Sequence, residues 1–190
     1  MKRLFAALKI QTDDRFLASY RKLMSELRQE PIKWVEEHNI HITLKFFGET
    51  DERRIPGIVE MLRRRATETT RFSLRLKGLG IFGSSYAPRV IWVGIEPYAD
   101  LVKLMKNVHD DMAGLGFERD RQNLVPHLTL GRVKSLRDKV LFQRTLDRYR
   151  DLSSEERVMQ EIILYESVLR PQGPVYTALE RLPLLKSELP

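Results

Sequence analysis

Two short segments of the sequence repeat one pattern of polar and apolar side chains. Residues 41–44 read His-Ile-Thr-Leu and residues 127–130 read His-Leu-Thr-Leu, so the two histidines stand 127 − 41 = 86 positions apart. Imidazoles titrate near neutral pH, so one member of a pair can remove a proton while the other donates one. Hydroxyl groups can donate hydrogen bonds to an anionic oxygen between them. The pattern therefore predicts acid–base chemistry at an anionic group.

Each copy of the motif lies in a segment that we predict to be a β-strand. Side chains alternate between the two faces of a strand, so His41 and Thr43 share one face and their apolar neighbours face the core. The same holds for His127 and Thr129. If the two halves of the chain pair about a pseudo-twofold axis, both motifs face one cleft. The alternative is two structural His–Thr pairs on half-exposed strands.

The pattern of apolar residues predicts an α+β fold rather than a run of parallel βαβ units. We predict strands over residues 3–10, 40–47 (ended by Gly48), 72–77, 90–93, 125–130, 158–169 and 176–179. Helices are predicted to begin near residues 12–14, which supply capping residues and first-turn negative charge, near Thr50, before residue 101 and near Ser135. Because strands and helices recur in much the same order, the chain divides into two halves that form one domain over residues 1–190.

Composition indicates a globular protein with a basic surface. The formal net charge is +7 and the pI is about 9.7. Arginine, which suits bidentate phosphate contacts, outnumbers lysine 22 to 11. Such a surface is compatible with nucleic acid or another polyanion, and a merely solvated basic surface is the alternative.

Several functional classes are excluded by what the sequence lacks. It contains no cysteine, which removes disulfides, thiolate nucleophiles and thiolate metal sites. No stretch approaches the roughly 20 apolar residues that span a bilayer. The apolar run near the first residue is too short for a secretory signal. We therefore expect a cytoplasmic protein without a membrane partner.

The two motifs and the segments around them resemble the 2H phosphoesterases, specifically the RNA 2′,3′-cyclic phosphodiesterases first described as 2′-5′ RNA ligases. The resemblance covers nearly the whole chain and rests on residues 3–7, 34–49, 89–94, 126–132, 166–169 and 173–176. It implies a bilobal fold, with two pseudo-symmetric lobes of antiparallel sheet, outer helices and a central basic cleft. Each lobe then supplies one His-x-Thr motif.

The resemblance also implies a reaction, the metal-independent hydrolysis of an RNA-terminal 2′,3′-cyclic phosphate to a 2′-phosphate. In it, His127 is the general base that activates water and His41 is the general acid that protonates O3′. Thr43 and Thr129 bind the non-bridging oxygens, and Arg132 binds the phosphate. The residues alone do not rank the two histidines, and the reverse 2′-5′ ligation would exchange their roles. The implied partner is RNA with a cyclic phosphate end; no cofactor is implied, and we expect a monomer.

Residues 78–83 match G-x-G-x-x-G, a pattern of dinucleotide-binding loops. Such a loop must open a helix, whereas another strand is predicted to follow here. We interpret the segment as a glycine-rich bend near the cleft. The triple arginine 63–65 is interpreted as a solvated helix end, with contact to an RNA backbone as the alternative.

The remaining histidines and aromatic residues receive structural interpretations. We expect His38 on the surface and His109 partly buried on the third helix. Trp34, Phe46 and Phe47 are expected to pack in the core. Stacking on a nucleobase is the alternative for these aromatic side chains, chiefly for Trp34.

Two other functions remain open from the sequence. The same fold could act on a small cyclic phosphate such as ADP-ribose cyclic phosphate, although the arginine content favours RNA. The chain could also be a non-catalytic RNA-binding module. In that case, replacing His41 by Ala would change neither binding nor chemistry.

Overall fold

The computed structural model describes residues 1–118, 125–171 and 173–186. Its strands are β1 (Lys2–Leu8), β2 (Ile32–Trp34), β3 (Ile42–Thr50), β4 (Phe72–Ser84), β5 (Ala87–Glu96), β6 (His127–Val133), β7 (Arg157–Met159), β8 (Glu161–Arg170) and β9 (Gly173–Pro183). Its α-helices are α1 (Asp14–Glu26), α2 (Ile55–Thr67), α3 (Ala99–Gly114) and α4 (Lys139–Arg148).

The strands form two antiparallel sheets, as the predicted α+β fold requires. The first sheet has the order β3-β1-β8-β9 and the second has the order β2-β6-β5-β4-β7. Each named neighbour pair is antiparallel. Each sheet takes strands from both halves of the chain. One predicted motif strand, β3, lies in the first sheet, and the other, β6, lies in the second.

Helix α1 shows how the sequence fixes a local element. Of the predicted capping segment 12–14, Asp13 is the N-cap, and its side chain accepts a hydrogen bond from the Phe16 amide at 2.9 Å. The buried face of the helix includes Tyr20, whose hydroxyl donates to the carbonyl of Leu130 at 2.8 Å. This bond ties the helix to the motif strand β6. Burial raises the pKa of the Tyr20 hydroxyl, which therefore stays a donor.

Several predicted boundaries are wrong. Strand β3 does not end at Gly48 but continues through it to Thr50, since Gly48 adopts a positive φ of 70° within the strand. The helix predicted from Thr50 begins at Ile55, after a short 3-10 turn, with Pro56 in its first turn. Helix α4 begins at Lys139 rather than near Ser135.

The glycine-rich segment is not a bend. Residues 78–83 lie inside β4 and pair with β5 along most of their length. The sequence also failed to indicate β2, which has three residues, and the division of the predicted strand 158–169 between β7 and β8. Strands of three residues are too short for alternation to identify.

Candidate active site

Both motif strands carry a β-bulge at the same position. In β3, Ala7 lies opposite Thr43 and Ala6 lies opposite Lys45, so Leu44 has no partner. In β6, Trp92 lies opposite Thr129 and Ile91 lies opposite Gly131, so Leu130 has none. The unpaired residue is therefore the leucine that follows the threonine in each motif. A bulge adds one residue to its strand and shifts the alternation of the side chains that follow it.

The bulges decide which residues rejoin the motif face of each sheet. In an unbroken strand, the third residue after each threonine would face the core. After the bulge, Phe46 lies opposite Phe5 and Arg132 lies opposite Val90. Both therefore share a face with the threonine of their own motif. This corrects the expectation that Phe46 packs in the core, since its side chain is 43% exposed.

One cleft of about 280 Å³ lies between the two sheets and is lined by all five predicted site residues. These are His41, His127, Thr43, Thr129 and Arg132. Further cleft-lining side chains include Arg3, Lys33, Phe46, Ser167 and Tyr176. The fold thus brings together the two motifs that stand 86 positions apart in the sequence.

Each histidine of the cleft is oriented by a backbone carbonyl two residues before it. The Nδ1 atom of His41 lies 2.6 Å from the Asn39 carbonyl oxygen, and that of His127 lies 2.7 Å from the Val125 carbonyl oxygen. A carbonyl oxygen can only accept, so each Nδ1 carries the proton. In the neutral ring, the lone pair therefore belongs to Nε2. Each Nε2 is the nitrogen left for proton exchange in the cleft.

His41 is enclosed by aromatic rings. The ring of Phe5 lies 4.9 Å from the imidazole centroid, and Tyr176 packs on it edge-on at 5.4 Å. The Nε2 atom of His41 lies 3.1 Å from the Thr43 hydroxyl. The two polar groups of the first motif are therefore already hydrogen-bonded to each other.

His127 is supported by the glycine-rich segment of β4. Phe82 packs edge-on against the His127 ring at 4.7 Å and also contacts the Trp92 ring at 5.3 Å. Trp92 fits only because residue 80 is glycine, since a Cβ at that position would lie 2.4 Å from the indole ring. The G-x-G-x-x-G segment therefore packs behind His127.

Both imidazoles have lowered pKa values. For His41 the main cause is desolvation, and the charge of Lys9 adds to the effect. For His127 the main cause is again desolvation, with a contribution from the charge of Arg132. The hydrogen bond from each Nδ1 opposes the shift. Each ring is thus neutral at pH 7 in the unliganded protein.

The cleft is cationic. Among the described residues that line it, Arg3, Lys33 and Arg132 carry positive charge and none is Asp or Glu. The guanidinium of Arg3 lies over the Phe46 ring, 4.8 Å from its centroid. A cleft of this charge attracts a phosphate anion.

Sequence reasoning missed Arg3, Lys33, Phe46 and Tyr176 as cleft residues. Phe46 was hidden by the bulge at Leu44, which inverts the alternation. The other three lie on β1, β2 and β9. Their strands join the motif strands only through sheet pairing, so no local signal identifies them.

The histidines outside the motifs and two of the three aromatic candidates behave as expected. His38 is exposed, and His109 is 6% exposed with Nε2 3.0 Å from the Leu44 carbonyl oxygen. Trp34 packs edge-on against Tyr20, and Phe47 packs against Phe117. These side chains are structural.

The triple arginine 63–65 forms ion pairs rather than a free basic patch. Arg63 pairs with Glu180 at 2.8 Å, and Arg64 pairs with Asp111 at 2.9 Å. Arg65 pairs with Asp111 as well. Because each charge is compensated, nothing in this segment favours contact with an RNA backbone.

Two further observations concern the described part of the chain. It contains no cluster of three or more His, Asp or Glu side chains that could hold a metal ion. None of its helices is both long enough and apolar enough to cross a membrane.

The chain is similar to known proteins over most of its length. The family model of the 2′-5′ RNA ligase superfamily matches residues 14–167. An RNA 2′,3′-cyclic phosphodiesterase of Methanocaldococcus jannaschii is 34% identical over 94% of this chain and 98% of its own. One of Thermotoga maritima is 38% identical over 77% of this chain and 76% of its own.

Solved structures share the fold. The TT0787 protein of Thermus thermophilus superposes with a TM-score of 0.78 at 26% identity, over 98% of this chain and 100% of that one. The E. coli LigT structure with 3′-AMP superposes with a TM-score of 0.72 at 22% identity, over 96% of this chain and 98% of that one. The second likeness concerns the fold alone.

Proposed function

The chain belongs to the 2′-5′ RNA ligase superfamily, and from this membership and the geometry of the cleft we propose that it hydrolyses RNA-terminal 2′,3′-cyclic phosphates to 2′-phosphates. The observation that carries the proposal is the position of His41 and His127. Both line one cationic cleft, and each presents Nε2 for proton exchange.

Hydrolysis begins when water attacks the phosphorus in line with O3′. His127 takes a proton from this water through the lone pair of its Nε2 atom. Its Nδ1 atom keeps its proton and goes on donating it to the Val125 carbonyl oxygen, so the ring keeps its orientation. The lowered pKa of His127 keeps it neutral and able to act as a base at pH 7.

The bond between phosphorus and O3′ then breaks. His41, as imidazolium, gives its Nε2 proton to O3′, so the products are a 2′-phosphate and a 3′-hydroxyl. The bound phosphate anion offsets the desolvation that lowers the pKa of His41 and favours this charged form. In 2′-5′ ligation a 5′-hydroxyl takes the place of water as the nucleophile, O3′ leaves as before, and the two histidines keep these roles. They exchange roles only in the opposite direction, when the 3′-hydroxyl attacks the phosphorus of a 2′-5′ bond and O5′ leaves.

The threonines and Arg132 stabilise the charge on phosphorus. Thr43 and Thr129 donate hydrogen bonds to the non-bridging oxygens. The Thr43 hydroxyl lies 3.1 Å from His41 Nε2 in the unliganded protein and turns toward the phosphate when it binds. Arg132 carries a positive charge, and its attraction to the phosphate strengthens as negative charge develops in the transition state.

Phe46 provides a surface for the terminal nucleobase. Its exposed ring borders the same cleft as the motifs, and Arg3 holds it from one side. Stacking on an aromatic side chain is how single-stranded RNA bases are commonly bound. Phe46 thus replaces Trp34 as the leading stacking candidate.

The direct test uses an oligonucleotide that ends in a 2′,3′-cyclic phosphate. We expect conversion to a 2′-phosphate, identified by chromatography against synthetic 2′- and 3′-phosphate standards, with full activity in EDTA. Parallel reactions with ADP-ribose cyclic phosphate test the small-substrate alternative. A 3′-phosphate product, or activity abolished by EDTA and restored by Mg²⁺ or Mn²⁺, contradicts the proposed mechanism.

The monomeric state and cytoplasmic location expected from the sequence remain predictions. Light scattering coupled to size-exclusion chromatography measures the mass directly. A value near 22.3 kDa corresponds to the monomer.

A further inference from the structure

Two cations lie side by side on neighbouring strands at the edge of the cleft. Lys33 of β2 is directly opposite Arg132 of β6. Like charges in such a cross-strand pair repel each other and destabilise the sheet. Among the described residues, neither has an ion-pair partner. An anion bound between them would offset this cost.

The side chain of Lys33 points into the cleft rather than toward the helices. Its neighbour Trp34 packs on Tyr20 of α1, behind the second sheet. Alternation then places Lys33 on the opposite face, and it lines the cleft together with Arg132. A cyclic phosphate carries a single negative charge, for which two threonines and Arg132 are already available. Lys33 is therefore a surplus cation beside the reacting phosphate.

A second cationic cavity is lined by residues that follow Arg132 along the chain. It has a volume of about 460 Å³ and lies between the β4–β5 hairpin and the start of α4. Its lining includes Arg89, Lys134 and Lys139, together with Tyr86 at the hairpin tip. We name it the hairpin groove. None of its three cations has an ion-pair partner in the described part of the chain.

The chain itself leads from the cleft to the hairpin groove. Arg132 lines the cleft, and the next residues on the chain, Val133 and Lys134, line the groove. Lys134 follows Arg132 by two residues, which span at most about 7 Å of extended chain. The side chain of Tyr86 is 76% exposed, so its ring is free to stack on a base.

The geometry points to a binding path for the RNA that precedes the reactive nucleotide. Lys33 binds the first internucleotide phosphate, and the hairpin groove binds the following nucleotides through its three cations. The path rests on the proposed function, because it begins at the reacting phosphate. It makes the protein selective for RNA ends over mononucleotide cyclic phosphates.

A length series of substrates tests the path. The series runs from a 2′,3′-cyclic mononucleotide through a dinucleotide to a hexanucleotide with the same end. In the unmodified protein we expect kcat/KM to rise with each step, by about 10-fold for the first phosphate, since a hydrogen bond to a charged group is worth that much.

Three variants test the two parts of the path separately. Lys33→Gln should remove the rise in kcat/KM between mononucleotide and dinucleotide, while lowering mononucleotide turnover by less than about 3-fold. Lys33→Arg should retain the rise, because the cation is kept. The triple variant R89A/K134A/K139A should remove only the gain from longer substrates. Lys22→Ala, on the exposed face of α1, is the matched control and should change nothing.

Two results overturn the path. One is a Lys33→Gln loss that is equal for mononucleotide and hexanucleotide, since Lys33 would then act on the reacting phosphate. The other is unchanged affinity of Lys33→Gln and the triple variant for a fluorescent hexanucleotide bearing a 2′-phosphate, measured by anisotropy. This binding readout needs no turnover, so it separates failure of the path from failure of the proposed activity.

Discussion

The two motif strands share their backbone structure but differ in the third residue after the threonine. In each, the Nδ1 atom of a histidine donates to the carbonyl oxygen two residues before it. In each, the leucine after the threonine is a bulge. The bulge brings the third residue after the threonine into the cleft, but that residue is Phe46 in β3 and Arg132 in β6.

In the proposed reaction, this difference assigns different parts of substrate binding to the two sheets. The first sheet contributes an aromatic surface, with Arg3 over the ring of Phe46. The second contributes cations, with Arg132 opposite Lys33. The repeated bulge and Nδ1 hydrogen bond thus position the two histidines alike, and in the proposed reaction one further side chain per motif separates recognition of the base from recognition of the phosphate.

Removing either imidazole should have the largest effect. His41→Ala and His127→Ala should each lower kcat by at least ~100-fold, the usual size of general acid–base catalysis. Steady-state rates on a cyclic-phosphate oligonucleotide measure the loss. Thermal melting of each variant checks that it folds.

A change of leaving group should then separate the two histidines. In a substrate with sulfur in place of O3′, the leaving thiolate needs no proton. His41→Ala should regain most of its lost rate on this substrate, and His127→Ala should not. Rescue of His127→Ala instead would reverse the assigned roles.

The next largest loss of activity is expected for Arg132, which the bulge in β6 brings into the cleft. Arg132→Ala should lower kcat/KM by about 10- to 100-fold, because a charged hydrogen bond to the phosphate is lost. The loss should be similar whichever base precedes the phosphate. Unchanged turnover and affinity would remove Arg132 from the site.

Replacement of Phe46 should have a smaller effect that depends on the base. Phe46→Ala should raise KM by about 5- to 30-fold, within the range known for base stacking, while kcat changes less. A ribose 2′,3′-cyclic phosphate that lacks the base is the control, since the variant should treat it like the unmodified protein. An equal loss on both substrates would show that Phe46 does not bind the base.

The smallest expected effect is on pH dependence. Because the pKa values of both histidines lie below 6.5, the bell-shaped profile of kcat/KM should have its optimum on the acidic side of pH 6.5. Each histidine has a different cationic neighbour, Lys9 for His41 and Arg132 for His127. Lys9→Gln should therefore raise one apparent pKa and Arg132→Gln the other, as seen in pH–rate profiles. If both variants shifted the same limb of the pH–rate profile, Lys9 and Arg132 would not act on different histidines.

Much of the fold and site could be predicted from the sequence. Alternation correctly placed the apolar spacers of both motifs in the core, where Ile42, Leu44, Leu128 and Leu130 are at most 1% exposed. Helical periodicity and the cap at Asp13 located α1. These features depend on neighbours within a few positions, so the sequence carries them directly.

The faces of the residues that follow the two bulges could not be predicted in this way. Alternation assumes an unbroken strand, and a single unpaired leucine reverses it for the residues that follow. Phe46 was expected in the core, as aromatic side chains commonly are, and alternation gave no reason to place it in the cleft that it lines. Arg132 was identified only through resemblance to a family, since strict alternation would turn it away from Thr129.

By itself, the sequence determined the chemical groups of the site: two imidazoles, two hydroxyls and an excess of arginine. Only the tertiary structure decided that Lys33 stands beside Arg132, that Tyr176 and Phe5 enclose His41, and that Phe82 supports His127. These contacts join strands distant along the chain. Their register is set by sheet pairing and by the packing of both faces, which no local pattern of residues contains.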